Sequence, residues 1–369
     1  MLNKDRYDRQ IKLRGFGIEA QQKLLSARVL VIGAGGLGCP VLQYLTASGI
    51  GTIGIVDHDV VSISNLQRQV LYTTEDIGQL KTEVASKRLR LMNPDIFINI
   101  ISEQITSKNA VKIINEYDLV LDCSDNFPTR YLIDDSCRIM KKTLIFGAIY
   151  QYEGQIAVFN IPNKEGVTTS YRNLFPQPPK PNEVPDCNEA GVLGVLPGII
   201  GTLQATEAIK IITGIGKPLA NKLMSIDLLD YQTAIYDIPI EIESNSNFPS
   251  TIDEFELMNY EEHCGINNHN VKIISSSEFL ESAKIPDTLI IDVRELDEFP
   301  KIDLPYLSIP LSQLNEKIFE IQHKNIIVIC QSGKRSLMGA QLLQENLSSE
   351  YQISSLEGGI NHLKNLKNE

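Results

Sequence analysis

Gly33, Gly35 and Gly38 follow the apolar run Val29–Ile32 in the order G-x-G-x-x-G. Glycines at this spacing permit a tight strand-to-helix turn and let backbone N–H groups come close to a phosphate. Asp57 stands about 20 residues further on, where a carboxylate can accept the hydrogen bonds of a ribose. The run DHDVVSISNLQRQ then brings Asp59, Asn65, Arg68 and Gln69, and GQLK brings Lys81. A later apolar run ends in Asp122-Cys123-Ser124-Asp125-Asn126, whose two carboxylates can hold Mg²⁺ or orient a phosphate. A dinucleotide needs little beyond the glycine turn. A triphosphate carries about four negative charges, and breaking it calls for cations on its oxygens. Arg9, Arg14, Arg68 and Lys81 supply cations and Asp125 a metal ligand, a set that suits ATP better than NAD. The pattern G-x-x-x-x-G-K-[ST] is absent, so this is not a P-loop. Blander readings exist for each part. The segment Asn3–Gly17 could be a solvated basic helix, Lys81 an exposed helix lysine, and Asp125-Asn126 a helix N-cap.

A second reactive pattern lies far along the chain. Ile326–Ile329 reads as a buried strand running into Cys330-Gln331-Ser332-Gly333-Lys334-Arg335, with a helix from about Ser336. A cysteine on such a loop faces backbone N–H groups at a helix N-terminus, beside Lys334 and Arg335. Those surroundings make a thiol nucleophilic. The spacing C-x₄-R is tighter than the C-x₅-R of tyrosine phosphatases and favours sulfur over phosphate chemistry.

The elements that must position these residues follow from the apolar pattern. Strands are expected at 29–32, 52–56, 96–101, 119–121 and 143–146, with helices between them and an antiparallel strand at 154–159. Ile199–Thr213 reads as an amphipathic helix. The fold class is α/β: a Rossmann-like, doubly wound ATP-binding domain followed by a smaller α/β domain. The stretch from Glu241 to Asn270 is polar and reads as a linker. The expected organisation is therefore 1–243, linker 244–269, and 270–369. The 369 residues suit two domains, and 43% hydrophobic and 22% charged residues describe an ordinary globular protein. A net charge of −12 argues against nucleic acid as a partner. No transmembrane run or signal peptide is evident. Six cysteines without a C-x-x-C pair point to a reducing cytosol and a cytoplasmic protein.

RYDRQ, GAGGLGCP, DHDVVSISNLQRQ, GQLK, DCSDN and EAGVLG occur in this order, and over roughly residues 5 to 240 the chain resembles the MoeB/ThiF/HesA adenylyltransferases. The resemblance implies a homodimer that uses ATP and Mg²⁺. Its substrate would be the C-terminal Gly-Gly of a small ubiquitin-like sulfur carrier protein, converted to an acyl-adenylate with release of pyrophosphate. Carried over, Gly36 and Asp57 hold the nucleotide and Ser64, Asn65 and Arg68 line the triphosphate site. Lys81 grips phosphate, Asp125 binds Mg²⁺ beside Asn126, and Arg9 reaches the ATP of the other subunit. Cys187, after a proline-rich stretch, sits where some members carry an acyl-accepting cysteine; the other reading is a small residue without chemistry. Many relatives bind structural zinc through two C-x-x-C pairs, which would fall near residues 170–173 and 261–264. Only Cys264 remains there, so no zinc is expected.

IDVRELDEF, CQSGKRS and SLEGGI make roughly residues 270 to 369 similar to a rhodanese domain. That similarity implies a persulfide on Cys330, taken from a persulfide sulfur donor and stabilised by the loop Gln331–Arg335. The first domain would activate a carboxylate and the second would bring the sulfur that displaces AMP. The carrier is expected to be of the molybdopterin-synthase small-subunit type, with a thiamine-pathway carrier as the alternative. An NAD-dependent oxidoreductase and a non-catalytic carrier-binding scaffold are remoter readings.

Overall fold

The computed structural model describes residues 3–179, 191–240, 248–264, 271–318, 321, 323–348 and 350–365. They fall into two compact units that divide between Gly265 and Ile266. The first unit runs α1 (Lys4–Ile11), α2 (Gly17–Ser26), β1 (Arg28–Ile32), α3 (Gly38–Ser48), β2 (Thr52–Val56), α4 (Lys81–Met92) and β3 (Phe97–Ile101). It continues through α5 (Ala110–Asn115), β4 (Leu119–Asp122), α6 (Phe127–Ile139), β5 (Thr143–Tyr150), β6 (Glu153–Phe159) and α7 (Tyr171–Leu174). After α8 (Leu196–Thr213) come β7 (Lys222–Asp227), β8 (Thr233–Asp237), α9 (Ile252–Leu257) and α10 (Tyr260–His263).

The eight strands form one sheet in the order β3-β2-β1-β4-β5-β6-β7-β8. Pairings from β3 to β5 are parallel, and those from β5 to β8 are antiparallel. The strand order reverses direction between β1 and β4, the crevice where open α/β sheets bind ligands. Val29 and Val31 of β1 enter one hydrophobic cluster with Leu42, Leu45 and Ile200, while Leu30 and Ile32 enter another with Ile114, Tyr131 and Ile133. Both faces of the strand are thus covered, which is why its sequence is apolar without alternation. The helix expected as amphipathic, α8, buries Leu196, Ile200, Gln204 and Ala208 and leaves Gly198, Thr202, Thr206 and Ile209 half-buried or exposed. It packs on α2, α3, β5 and β6, and Thr206 is its one exposed residue.

The expected linker holds structure. Its residues 252–263 form α9 and α10, each started by a side-chain cap, Thr251 accepting from the Glu254 N–H and Asn259 from the Glu262 N–H. Phe255, Tyr260 and Cys264 are buried in the second cluster, against α6. Three apolar residues at helical spacing suffice to dock the segment, although its overall composition is polar.

A buried ion pair fastens this segment. Arg172, 1% exposed, donates from Nε and Nη2 to the two carboxylate oxygens of Asp135 at 2.8 and 2.7 Å. The Tyr260 hydroxyl donates to the same carboxylate at 2.9 Å, and the guanidinium lies over the Tyr131 ring at 4.7 Å. Arg172 Nη1 is 3.2 Å from His263 Nε2. Burial, and then the charge of Arg172, hold the His263 pKa below its ordinary value, which keeps the ring neutral as an acceptor. This is where relatives would place zinc. A guanidinium fills the position, Ser170 and Asn173 cap α7, and burial pushes the Cys264 thiol up to about 12. One thiol and an engaged imidazole do not make a tetrahedral N/S site, so these residues do not fit zinc.

The second unit contains β9 (Lys272–Ile274), α11 (Ser276–Ser282), β10 (Thr288–Asp292), β11 (Leu307–Ser308) and α12 (Leu311–Lys317). β12 (Asn325–Ile329), α13 (Lys334–Asn346), β13 (Gln352–Leu356) and α14 (Gly359–Asn365) complete it. Its sheet is parallel throughout, in the order β11-β10-β12-β13-β9. The central strand β12 sends Ile326 and Val328 to one core and Ile327 and Ile329 to the other, so Cys330 emerges at the middle of the sheet's carboxyl edge.

Asp134, beside the ion pair, supplies a pH test. Its Oδ1 accepts from the Tyr171 N–H at 2.8 Å, while the buried Oδ2 has no partner. Burial, reinforced by Asp135, pushes the carboxyl up to about 7. A carboxyl whose folded pKa exceeds its unfolded one takes up a proton on folding. Its contribution to stability therefore falls as pH rises from about 4 through about 7. Asp134→Asn should raise the thermal midpoint above wild type at pH 8, and the two proteins should converge toward pH 4. An offset that does not change with pH would contradict this.

Candidate functional site

Three parallel strands of the first unit end in one row, with Ile32 opposite both Val56 and Asp122. Beyond the row, the Gly33 N–H donates to the Val56 carbonyl and the Cys123 N–H to the Ile32 carbonyl, both at 2.8 Å. Gly33 has φ of +98°, a conformation that favours glycine, and an added Cβ would lie 2.5 Å from the Cys123 carbonyl oxygen. At Gly38 an added Cβ would lie 2.0 Å from the Gly33 carbonyl oxygen. The turn is thus closed tightly enough to aim the start of α3 at the crevice. Asp57, at the end of β2, accepts from the Ala34 N–H at 2.7 Å and the Asp59 N–H at 2.8 Å. Tyr72 donates its hydroxyl to the Ala34 carbonyl at 2.8 Å, so Ala34 is held through both backbone groups. Burial raises the Asp57 pKa and the charge of Lys81 pulls it back.

The charged residues gather at this end of the sheet. Ser64 and Asn65 lie on the 3₁₀ turn Ile63–Asn65, and Arg68 donates to the Ser64 carbonyl at 3.2 Å. Arg68 also lies along the glycine turn, its Cδ 3.6 Å from where a Cβ on Gly36 would stand. Lys81 opens α4 and is not an exposed helix lysine: its side chain is 6% exposed, and its Nζ is 2.8 Å from Asp59 Oδ2. Asp59 itself is 56% exposed. Asp125 and Asn126 are exposed at the end of β4. The N-cap reading holds for Asn126, which accepts from the Thr129 N–H at 3.0 Å, and leaves Asp125 beside it. Arg9 is not brought here within one chain. Its helix packs through Tyr7 on Gly49 and through Gln10 on the Ser48 carbonyl, at the far end of α3 from the glycine turn. That separation is about 16 Å at 1.5 Å per residue. Cys187 lies outside the described residues.

In the second unit, the buried Cys330 Sγ accepts from the Gly333 N–H at 3.2 Å and lies 3.5 Å from Ser336 Oγ. Gly333 has φ of +89°, and an added Cβ would stand 2.9 Å from the Gly358 nitrogen, so the loop wraps closely against the start of α14. Gln331 accepts from Arg294 Nη1 at 3.0 Å, Ser332 is exposed, and Lys334 begins α13. Arg335 departs from expectation. It forms a two-point ion pair with Glu298 at 2.6 and 2.8 Å, so its charge is spent on a carboxylate and the sulfur is met by an N–H and a hydroxyl. The pairing with Arg335 holds the Glu298 pKa below its ordinary value. Arg294 is buried and bonded to Asp292, and it also donates to the Pro300 carbonyl. Sequence reasoning named Asp59 at the crevice without its pairing to Lys81, and passed over Tyr72, Arg294 and Glu298. An acidic residue just past each strand end, in DHD and in DVRELDE, was the available signal.

The profile described as the ThiF family matches residues 7–247, and that of the rhodanese-like domain matches residues 275–366. The chain is 50% identical over 266 residues to the sulfur carrier protein adenylyltransferase of Thermus thermophilus, covering 71% of this chain and 97% of that protein. It is 39% identical over 368 residues to a Mycobacterium tuberculosis protein named probable adenylyltransferase/sulfurtransferase MoeZ, covering 96% and 91% respectively. In fold it is similar to the crystal structure of Escherichia coli MccB, with a TM-score of 0.58 and 21% identity over 68% of this chain and 74% of that one.

The tight contact at the glycine turn gives a direct prediction. Gly38→Ala forces a methyl group against a backbone carbonyl that has no room to move, and should cost about 1–3 kcal/mol or more of stability. A denaturation midpoint equal to wild type would show that the turn yields.

Proposed function

Because the chain belongs to the ThiF family and carries a rhodanese-like domain, we propose that it adenylates the C-terminal glycine of a small ubiquitin-like sulfur carrier and then delivers sulfur to it. The observation that carries this reading is the row of strand ends that puts the glycine turn, Asp57, Arg68 and Lys81 at one crevice, in a chain that also holds Cys330 on a rhodanese-type loop. The carrier we favour is of the molybdopterin-synthase small-subunit type. An NAD-dependent oxidoreductase would leave Arg68, Lys81 and Cys330 without tasks.

The carboxylate of the carrier is already ionised at pH 7, so no general base is required. One of its oxygens attacks the α-phosphorus, the bond to the β-phosphate oxygen breaks, and pyrophosphate leaves with the electron pair. What this chain's residues must do is position the reactants and offset the moving charge. In this reading Gly36 and Asp57 seat the nucleotide and Asp57 takes the ribose. Ser64, Asn65 and Arg68 line the phosphates, and Lys81 turns from the exposed Asp59 carboxylate to a phosphate oxygen. Asp125, beside Asn126, is an accessible carboxylate of the kind that shares Mg²⁺ with substrate phosphates, and the ion would neutralise phosphate charge. Arg9, remote from its own crevice, would serve the other protomer of a homodimer.

The outer sulfur of a Cys330 persulfide then takes the acyl group and AMP departs. A thiol attacks the Cys330 sulfur, the thiocarboxylate leaves with the S–S electron pair, and a second thiol reduces the mixed disulfide left on Cys330 back to the free thiolate. The Gly333 N–H would stabilise the sulfur anion, and the Ser336 hydroxyl would join it by turning its proton away from the Gly333 carbonyl. A persulfide donor reloads Cys330. Among the described residues no helix is long and apolar enough to cross a membrane, and we place the reaction in the cytoplasm.

Two variants separate the half-reactions. Asp125→Ala should abolish ATP–pyrophosphate exchange while the folded spectrum stays unchanged; near-normal exchange would remove Asp125 from the site. Cys330→Ser should exchange normally yet give no thiocarboxylate when the carrier's C-terminus is weighed. A wild-type yield from that variant would break the link between the two domains.

A further inference from the structure

Gln69 is the unexplained polar group of the nucleotide crevice. It is 4% exposed, and its backbone is fixed in a turn, the N–H donating to Asn65 and the carbonyl accepting from Tyr72. Its carboxamide is unpaired. Oε1 is buried with no hydrogen-bond partner, whereas Nε2 is not among the buried unpaired atoms and makes no hydrogen bond to a described residue. The other buried side-chain amides described in the first unit are all engaged. Gln21 donates to Ser48, Asn93 to Tyr7 and Thr46, Asn173 to Pro239 and Ile240, and Gln204 to Asp122. A buried amide without a partner carries the full cost of lost hydration and is rare in native folds. The orphaned Oε1 is an acceptor and would not pair with an anion, but the donor end of the same amide faces the glycine turn. Nε2 stands 3.5 Å from where a Cβ on Gly35 would lie, against the middle glycine of the G-x-G-x-x-G turn.

We propose that Gln69 is a nucleotide ligand whose Nε2–H donates to a phosphate oxygen of ATP seated on the Gly35 turn. The inference rests on reading this crevice as an ATP site and adds to it an uncharged donor between the cations Arg68 and Lys81. A neutral donor of fixed direction suits that place. It selects the orientation of the phosphate chain without adding to the field that the two cations already set up, and burial strengthens a hydrogen bond to a charged acceptor.

The test compares the full-length wild-type chain with Gln69→Met and Gln69→Glu. Calorimetry with Mg-ATP and with adenosine is set beside the thermal midpoint of the ligand-free protein. Methionine replaces the unpaired amide by apolar atoms of similar shape, so the ligand-free midpoint should equal or exceed wild type. Affinity for ATP should nevertheless fall about tenfold or more, with adenosine unaffected, and glutamate should weaken ATP further by repulsion. Wild-type ATP affinity in Gln69→Met would overturn the proposal. So would a loss shared equally by adenosine, or one that merely tracks a lowered ligand-free midpoint. If the wild-type chain binds no ATP, the reading of the whole crevice falls with it.

Discussion

The first helix after the glycine turn can start where it does only because nothing projects from Gly38 toward the Gly33 carbonyl, 2.0 Å from where a side chain would begin. That contact sets the angle at which the chain leaves β1. From it follow the opening between β1 and β4, the placement of Ala34 within reach of both Asp57 and Tyr72, and the seating of Arg68 along Gly36. Asp57 therefore has two tasks. One oxygen ties the glycine turn to the end of β2, and the other holds the Asp59 N–H of the loop that follows. A carboxylate used this way aligns the backbone donors before any anion arrives, which lowers the ordering cost of binding.

In a chain with an excess of acidic residues, several cations are each held by a carboxylate, and their burial differs. Arg172–Asp135 and Arg294–Asp292 are enclosed on both sides, with side chains 2% exposed or less. Such pairs are costly to break, because removing one partner strands a buried charge. Lys81–Asp59 is enclosed on one side only, so a phosphate arriving from solvent can compete for the ammonium without unburying the partner. Arg335–Glu298 is intermediate. The same chemical pair acts as a rivet in the core and as an exchangeable latch at the crevice.

Strands β1 to β6 and β12, the glycine turn and the cysteine loop were legible in the sequence because each is written in neighbouring residues: apolar runs between Gly or Asp signals, or a cysteine before Gly and cations. The less apolar β7, β8 and β13 were not expected. What else was not legible depends on residues far apart in the chain. Arg172 meets Asp135 across 37 positions, and Glu298 meets Arg335 across the same interval. No local pattern records either meeting. The segment 252–263 was hidden for a different reason. Its average composition is polar, yet Phe255 and Tyr260 dock it, and the capping motifs T-x-x-E and N-x-x-E that start its two helices were outweighed by that average. The alternative of an exposed helix lysine at Lys81 falls because the fold around it, not its own helix, buries the side chain.

Fastening the chain's two distant segments through a guanidinium, rather than through the zinc that the family resemblance suggested, changes what the domain depends on to keep its shape. There is no ligand cluster here for a chelator to strip, and no set of thiolates for peroxide to convert to disulfides. Assembly of this corner needs only the chain itself and can proceed during metal starvation. The exchange also moves the vulnerability. A zinc knuckle fails with its supply, whereas this closure fails with a single substitution of Arg172, since lysine keeps the charge but cannot donate to both Asp135 oxygens in a fixed fork.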